Sequence, residues 1–407
     1  MKIGMILDNY FPPDPRVSNE AKSLIEQGHE VHLFSLQFND ESPAYEEIDG
    51  IKVSRYLASR LTYKLSALAY DLPFYHCLLK RRLRNFVERT GIEVLHIHDM
   101  VIARAVFWVN RSYKLPVVID FHENRPEIMR SYLHVLGFPG RYLISLKRWK
   151  GWYFKLAAKA DKVVVVTKAA AEDIAKKTQI EIDGIVVVPN TSKISDYAVS
   201  PSDKCISEKM EGTFNVLYFG DTSLRRGTDT AIMAANYLRD RIPSLRLWII
   251  GKSSADPTLR SMITELKLES FVALEGWQPM DRLPAYLENT HVAISPLKRN
   301  RHHDTTYANK IFQYMTCKKA LVVSDAKSQA ELVKRTGCGL VHEADAPSDL
   351  AEKIFYLYSN SNERVKMGEL GYQAVVNHWN WNCTVETLLK LYSSIESDLM
   401  AESGKKL

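Results

Sequence analysis

The residues of this chain best suited to chemistry are cations placed just past short apolar runs. Residues 291–325 read as strand, polar loop, helix, strand. The run Val292-Ala293-Ile294 stops at Pro296. A polar loop with Arg299, Arg301, His302, His303 and Asp304 follows, and a helix begins near Ala308-Asn309-Lys310. First-turn N–H groups lack intrahelical partners and the helix dipole favours negative charge there, so an anion suits this place. A lysine in that turn works against the dipole of an empty helix. A bound phosphate would account for it; a solvated lysine on an ordinary α/β loop is the alternative. Two more loops have the same form. Gly220-Asp221-Thr222-Ser223-Leu224-Arg225-Arg226-Gly227 follows one apolar run, and Gly251-Lys252 follows the next. Glycine permits close backbone approach, and arginine presents planar donors matched to phosphate. The three loops together predict a diphosphate held by side-chain charge and backbone amides.

The first half carries a different set. Arg16 lies in a proline-stiffened loop, Asp8 to Arg16, ahead of the first helix, and could meet an anion or a sugar hydroxyl. That loop has no G-x-G-x-x-G, which argues against a nicotinamide or flavin dinucleotide. His96 and His98 share one strand face, but no carboxylate or thiol cluster with ligand spacing accompanies them, so no metal is expected. Asp120-Phe121-His122-Glu123-Asn124-Arg125-Pro126 crowds several functional side chains after one strand. A histidine there can bond a sugar hydroxyl or support a developing charge; the alternative is a histidine that satisfies its own loop.

The elements that must position these residues alternate from end to end. Expected strands are Lys2–Leu7, Val31–Ser35, Val94–His98, Val117–Asp120, Val163–Thr167 and Ile185–Val188. In the second half they are Asn215–Phe219, Arg246–Ile250, Val272–Glu275, Val292–Ser295, Ala320–Ser324 and Gly339–His342. Several are continuous Val/Ile/Leu runs, as in parallel sheets covered on both faces. Amphipathic helices lie between them, among them Asn19–Gln27 with Gly28 as its cap. The fold class is therefore α/β, with two doubly wound domains of the Rossmann-like type. The expected N-terminal domain is 1–195, joined by a returning C-terminal segment 380–407, and the second domain is 196–379. Ligands in such sheets bind beyond the carboxyl ends of the strands, so two facing domains would make an interdomain cleft.

Composition narrows the function classes. With 407 residues, 46% hydrophobic and 25% charged, the chain is an ordinary globular protein large enough for two cores. A net charge of +6 with no recognised binding module does not indicate nucleic acid. The five cysteines contain no C-x-x-C pair, which fits reduced thiols in a cytoplasmic protein. No signal peptide and no membrane-spanning run is evident.

In ordered series the motifs resemble the family 4 glycosyltransferases, which have the GT-B fold. The series runs through Pro13-Asp14-Pro15-Arg16-Val17, His96-Ile97-His98-Asp99, Asp120-Phe121-His122-Glu123 and Val188-Pro189-Asn190. It continues with Phe219-Gly220, Arg226-Gly227, Glu275-Gly276-Trp277 and Asn309-Lys310-Ile311-Phe312-Gln313-Tyr314-Met315, and closes at Trp379-Asn380-Trp381. The resemblance implies a nucleotide-sugar donor, of UDP or GDP type, bound mainly by the second domain. Trp277 and Gln278 would frame the base. Arg226 and Lys310 would hold the diphosphate, with Gly220, Lys252 and the amides of Ala308 and Asn309 in support. Gln313 would meet the ribose. His122 would reach the transferred sugar, while Arg16 and Glu123 would serve the acceptor. Such enzymes retain anomeric configuration, and the leaving diphosphate acts as base. No Asp-x-Asp occurs, so cationic side chains would replace a metal, and no cofactor is expected. The acceptor would be a glycan or lipid-linked glycan of surface polysaccharide or lipopolysaccharide assembly.

The chain departs from the family pattern. Two glutamates spaced eight apart are replaced by Thr305 and Gln313, and Asp221 stands where relatives place an arginine. Gln313 can bond a ribose hydroxyl without charge. These changes motivate an alternative, a catalytically weak GT-B subunit acting as partner or scaffold in a glycan-assembly complex. Residues 141–177 carry ten Lys/Arg against three Asp/Glu, interleaved with Tyr142, Trp149, Trp152, Tyr153 and Phe154. With Lys80-Arg81-Arg82-Leu83-Arg84, this stretch suits an anionic membrane surface; amphipathic helices with core aromatics are the alternative.

Overall fold

A computed structural model of the protein describes residues 1–38, 41–197 and 203–404. The chain divides into two compact units, Met1–Pro189 with the segment from Val385 onward, and Asn190–Thr384. The first unit holds β1 (Lys2–Ile6), β2 (Glu30–Gln37), β3 (Tyr45–Ile48), β4 (Ile51–Leu57), β5 (Val94–His98), β6 (Val117–Phe121), β7 (Lys162–Val165) and β8 (Ile185–Val187). Their order is β3-β4-β2-β1-β5-β6-β7-β8, parallel except for β3 against β4. The second unit holds β9 (Phe214–Phe219), β10 (Leu245–Ile250), β11 (Val272–Gly276), β12 (Val292–Ser295), β13 (Ala320–Ser324) and β14 (Gly339–His342). They form one parallel sheet in the order β11-β10-β9-β12-β13-β14. Each unit is a doubly wound α/β domain, as expected from the buried apolar runs.

The twelve expected strands are all present, and β3 and β4 are additions. Both are polar, YEEI and IKVSRYL, so neither shows the continuous apolar run that marks a doubly covered strand. Arg55 in β4 is buried because its guanidinium bonds the carbonyls of Phe11 at 3.1 Å and Pro43 at 2.9 Å.

The first helix spans Pro15–Glu26, one turn earlier than its apolar pattern indicates. Pro15 supplies a ready first-turn φ, and the Asp14 carboxylate caps the Val17 N–H at 3.1 Å. The extra turn sets Arg16 and Glu20 one turn apart on the inward face. The C-terminal helix, Trp381–Gly404, returns to the first unit, where the Tyr392 hydroxyl meets His96 Nδ1 at 2.7 Å. In helix Leu146–Ala157, Trp149 and Tyr153 are buried against Tyr70 and Phe121. Those two aromatics therefore belong to the core and not to an exposed face.

In the second unit apolar clusters cover both faces of the sheet. Helix Lys310–Thr316 buries Ile311, Phe312, Tyr314 and Met315, and the Tyr314 hydroxyl accepts the Phe219 N–H at 2.9 Å. That bond fixes the helix beside the carboxyl end of β9, where Gly220 follows.

Candidate functional site

The second unit assembles a cationic cluster on this frame. Gly220, at φ 122°, adopts a backbone conformation that favours glycine and lies beside the Lys310 side chain. Gly251, at φ 149°, packs on the Gly220 carbonyl, which any β-carbon would strike. Lys310 is only 8% exposed, and its ammonium lies 3.5 Å from the Tyr218 ring centroid with no hydrogen-bond partner. Burial, and then the neighbouring Arg226, push its pKa well below the ordinary lysine value. An anion placed here would relieve both effects. The helix at Lys310 has only seven residues, so the attraction rests on the ammonium more than on a macrodipole.

Asp221 is turned into its own loop. Its carboxylate accepts from the Ser223 N–H and hydroxyl, both at 2.9 Å, and from Arg225 Nη2 at 3.0 Å, with Arg226 Nε at 3.7 Å. Burial pushes the Asp221 carboxyl up, but the Ser223 bonds and the two arginines outweigh it and hold it below its usual range. The acid therefore shapes the arginine turn Leu224–Arg226. His302 and His303 are buried near these cations. Burial pushes them down to about 2 and about 4, and Arg226 and Arg225 add to the effect. His303 Nδ1 lies 2.6 Å from the Lys298 carbonyl and 3.0 Å from the Asn300 amide nitrogen.

The first unit assembles a histidine–carboxylate cluster at the ends of β5 and β6. His122 Nε2 lies 3.0 Å from Asp120 Oδ2 and 3.1 Å from His98 Nδ1. His122 Nδ1 faces Asp99 Oδ2 at 3.7 Å, and the His122 N–H donates to Asp99 Oδ1 at 3.1 Å. Burial pushes the His122 imidazolium down, but Asp120 and then Asp99 outweigh it and raise its pKa to about 10. The ring is thus a standing cation. Asp120 also takes both Arg16 Nε at 2.8 Å and Nη2 at 2.9 Å. Against the push of burial, Arg16 and then His122 hold its carboxyl well below the usual range.

Glu20, His96, His98 and Asp120 are completely buried, with donor atoms within 4.8 Å of one another. The sequence offered no carboxylates near the two histidines, because Glu20 and Asp120 come from distant elements. This quartet could physically surround an ion, yet Arg16 already lies 3.0 Å from Glu20 and 2.8 Å from Asp120. A second cation would oppose that guanidinium in a dry interior. Beside the cluster, a cavity of about 210 Å³ is walled by Asp8, Asp14, Asp99, His122, Arg125 and Tyr63, among others.

The sequence profile of Glycosyltransferase Family 4 matches residues 16–191, and that of Glycosyl transferases group 1 matches residues 200–374. The chain is a family 4-like glycosyltransferase. The D-inositol 3-phosphate glycosyltransferase of Pseudarthrobacter chlorophenolicus is 22% identical over 382 residues, covering 91% of this chain and 87% of its own. Sucrose-phosphate synthase from Thermosynechococcus elongatus superposes with a TM-score of 0.80 at 15% identity, covering 98% of this chain and 100% of that one. An Anabaena protein solved with UDP and glucose gives 0.73 at 16% identity, covering 97% and 100%. These neighbours establish the GT-B fold.

In this glycosyltransferase the remaining residues singled out by sequence fall as follows. Trp277 follows β11 and is 68% exposed. The Gln278 amide donates to the Glu275 carbonyl at 3.3 Å and accepts from Arg282 at 3.1 Å. Ala308 is buried and Asn309 exposed at the helix start. Lys252 is exposed after β10. Gln313 is hydrogen-bonded to Tyr197, which also meets Ser192; burial pushes the Tyr197 hydroxyl up to about 12.

Arg16 is a correction. It is 3% exposed, and besides Asp120 it donates to the Val188 carbonyl at 2.9 Å, so its donors are consumed inside the fold. It positions Asp120 and does not reach an acceptor. Glu123 pairs with Arg125 at 3.3 Å, and Arg125 is the one of the two that lines the cavity. Asp8, Asp99 and Arg125 carry no role in the sequence reading, although Asp99 and Arg125 stand in its motifs. Each sits at or just past a strand's carboxyl end, a position that already marks ligand contacts.

Proposed function

We propose that this glycosyltransferase moves a hexose-type sugar from a UDP- or GDP-sugar to a hydroxyl of a glycan or lipid-linked glycan. Transfer retains anomeric configuration, needs no metal ion or cofactor, and serves surface polysaccharide or lipopolysaccharide assembly. The observation that carries this reading is the buried, unbonded Lys310 ammonium beside Gly220 and Arg226. A diphosphate is the anion that would satisfy it. The Anabaena protein, whose structure contains UDP and glucose, supports a nucleoside diphosphate donor.

The chemistry follows from charge. The bond between the anomeric carbon and the diphosphate oxygen breaks, and Lys310 and Arg226 stabilise the charge that gathers on the leaving group. The acceptor oxygen bonds to the same face, and its proton passes to the departing diphosphate. His122, held charged, donates to a sugar hydroxyl and does not act as a base. The carboxylates of Asp8, Asp14 and Asp99 and the Arg125 guanidinium offer the cavity a set of acceptors and donors suited to a polyhydroxy acceptor.

A second reading, a weakly catalytic partner subunit, draws on the neutral Gln313 where relatives carry glutamate. One experiment separates them. Purified protein is incubated with UDP- and GDP-sugars with and without EDTA, and free nucleotide is measured. The enzyme reading expects slow hydrolysis that survives EDTA and is lost in His122→Ala. Nucleotide binding with no turnover on any donor or acceptor would favour the partner. Absence of nucleotide binding would overturn both.

A further inference from the structure

Eleven of the 23 large apolar side chains exposed among the described residues lie within 57–78 and 133–143 of the first unit. Isolated exposed apolar residues are ordinary, but a concentration of this kind marks a surface that docks. Phe138 is 85% exposed and Leu133 75%, and Leu136 and Leu143 are more than half exposed. This segment is folded all the same. Val135 is buried, and Gly140 packs where a β-carbon would strike the His134 carbonyl. The apolar groups are therefore held outward by a fixed backbone.

The second stretch joins the first at one residue. Asp71 accepts from the Ser145 N–H at 3.2 Å, from Arg148 Nη1 at 3.2 Å and from Trp149 Nε1 at 3.1 Å. Leu72 and Phe74, both exposed, follow Asp71 directly, just as Leu143 precedes Ser145. The two stretches are rich in cations, although Arg130 and Lys150 pair with Glu127 at 2.7 and 3.1 Å and Arg148 with Asp71 at 3.2 Å. Residues 57–84 and 129–155 each contain six Lys and Arg, and the only acid in either is Asp71, which faces inward. Among the described residues no helix is long and apolar enough to cross a membrane.

We propose that the face formed by 133–143 and 72–78 is a membrane-docking surface, whose apolar side chains enter the headgroup boundary of an anionic bilayer while the surrounding Lys and Arg meet its phosphates. Protruding apolar groups ringed by cations fit a lipid surface, which yields around each side chain and carries the complementary charge. A protein partner would instead be expected to meet a groove or a surface with some acid of its own. Of the residues the sequence offered, Leu72, Phe74 and Tyr142 are exposed on this face while Trp149 and Tyr153 are core; Leu133, Leu136, Phe138 and Leu143 are additions from the structure.

The test uses the full chain in vesicle flotation, with phosphatidylcholine alone and with phosphatidylglycerol added. The expected result is binding to the anionic vesicles that weakens as salt is raised, and little binding to phosphatidylcholine. The double variant Leu133→Ser/Phe138→Ser should lower partitioning about tenfold or more while its nucleotide-induced thermal shift matches the parent. Unchanged partitioning in that variant would overturn the assignment. So would an absence of binding to anionic vesicles, or a concentration-dependent dimer that the double variant abolishes, which would give the face to a second copy. Because the nucleotide response is read separately, failure of docking leaves the donor site judged on its own result.

Discussion

The two units handle buried charge in opposite ways. In the first, Arg16, Asp120, His122 and Asp99 compensate one another: each cation has a carboxylate within about 4 Å, and Asp120 binds two cations at once. In the second, Lys310 is buried against an aromatic ring and a neighbouring arginine, its ammonium has no hydrogen-bond partner, and only the Asp221 carboxylate partly offsets the burial. A compensated cluster is preorganised and indifferent to ligand. An uncompensated one is less stable empty and gains most when an anion arrives. The histidine cluster therefore fixes a geometry, and in the proposed function the lysine cluster would provide affinity.

That contrast breaks most sharply at Asp120. Asp120→Asn removes the carboxylate shared by Arg16 and His122 and leaves them only Glu20 and Asp99, and unfolding by denaturant should show a loss of about 3–5 kcal/mol. A loss below 1 kcal/mol would mean the cluster is not compensated as described. At Lys310 the signs reverse. Lys310→Met removes an unpaired buried cation, so the empty protein should be unchanged or more stable by about 1 kcal/mol. Nucleoside diphosphate affinity measured by calorimetry should fall roughly 10- to 100-fold, the worth of a charge-assisted bond. A variant that lost stability and kept affinity would reverse the roles of the two units.

The contrast also explains what the sequence could disclose. Strands buried on both faces advertise themselves as apolar runs, and all twelve such strands were legible. The polar edge pair β3 and β4 was not, because YEEI and IKVSRYL follow no such pattern. The cations of the second unit lie in loops beside their strands, so local spacing revealed Arg226 and Lys310 as a set. The first unit's cluster draws Arg16 and Glu20 from one helix, His96 and His98 from β5, and Asp120 from the end of β6. Such a network exists only once the sheet order is known, and sequence alone made Arg16 a ligand contact when it is an internal counter-ion. Aromatic spacing misled in the same way: Trp149 reads as a membrane group but bonds Asp71 from the core.

Titration sharpens the comparison at smaller cost. Burial raises the Glu20 carboxyl from 4.5 to about 8, and Asp120 and Asp99 raise His122 from 6.5 to about 10. Both groups hold protons in the folded state that the unfolded chain releases. Their stabilisation is complete below the unfolded values and is lost as pH rises through the folded ones. Between pH 6.5 and 8 both contribute, so stability should decline across that window. Glu20→Gln should flatten the decline by about 1.4 kcal/mol per pH unit, the slope of one linked proton. An unaltered slope in melts across the window would remove Glu20 from the network.

The smallest effect concerns Gln313, where the two strategies meet in one side chain. Relatives are expected to use a glutamate here, whose two oxygens accept from both hydroxyls of a ribose diol. Gln313 has one acceptor oxygen and an amide already bonded to Tyr197. It thus follows the first unit's pattern, satisfied internally, inside the unit that otherwise waits for a ligand. Gln313→Glu adds acceptor capacity but also a negative charge on the diphosphate's side of the pocket. The diol bonds are short-ranged and direct, while the repulsion is softened by Lys310 and Arg226, so a gain of a few-fold in UDP affinity is expected. The same variant should gain nothing for 2′-deoxy-UDP, which lacks half of the diol. Equal gains for both nucleotides would show that the carboxylate acts through general electrostatics and that Gln313 does not face the ribose.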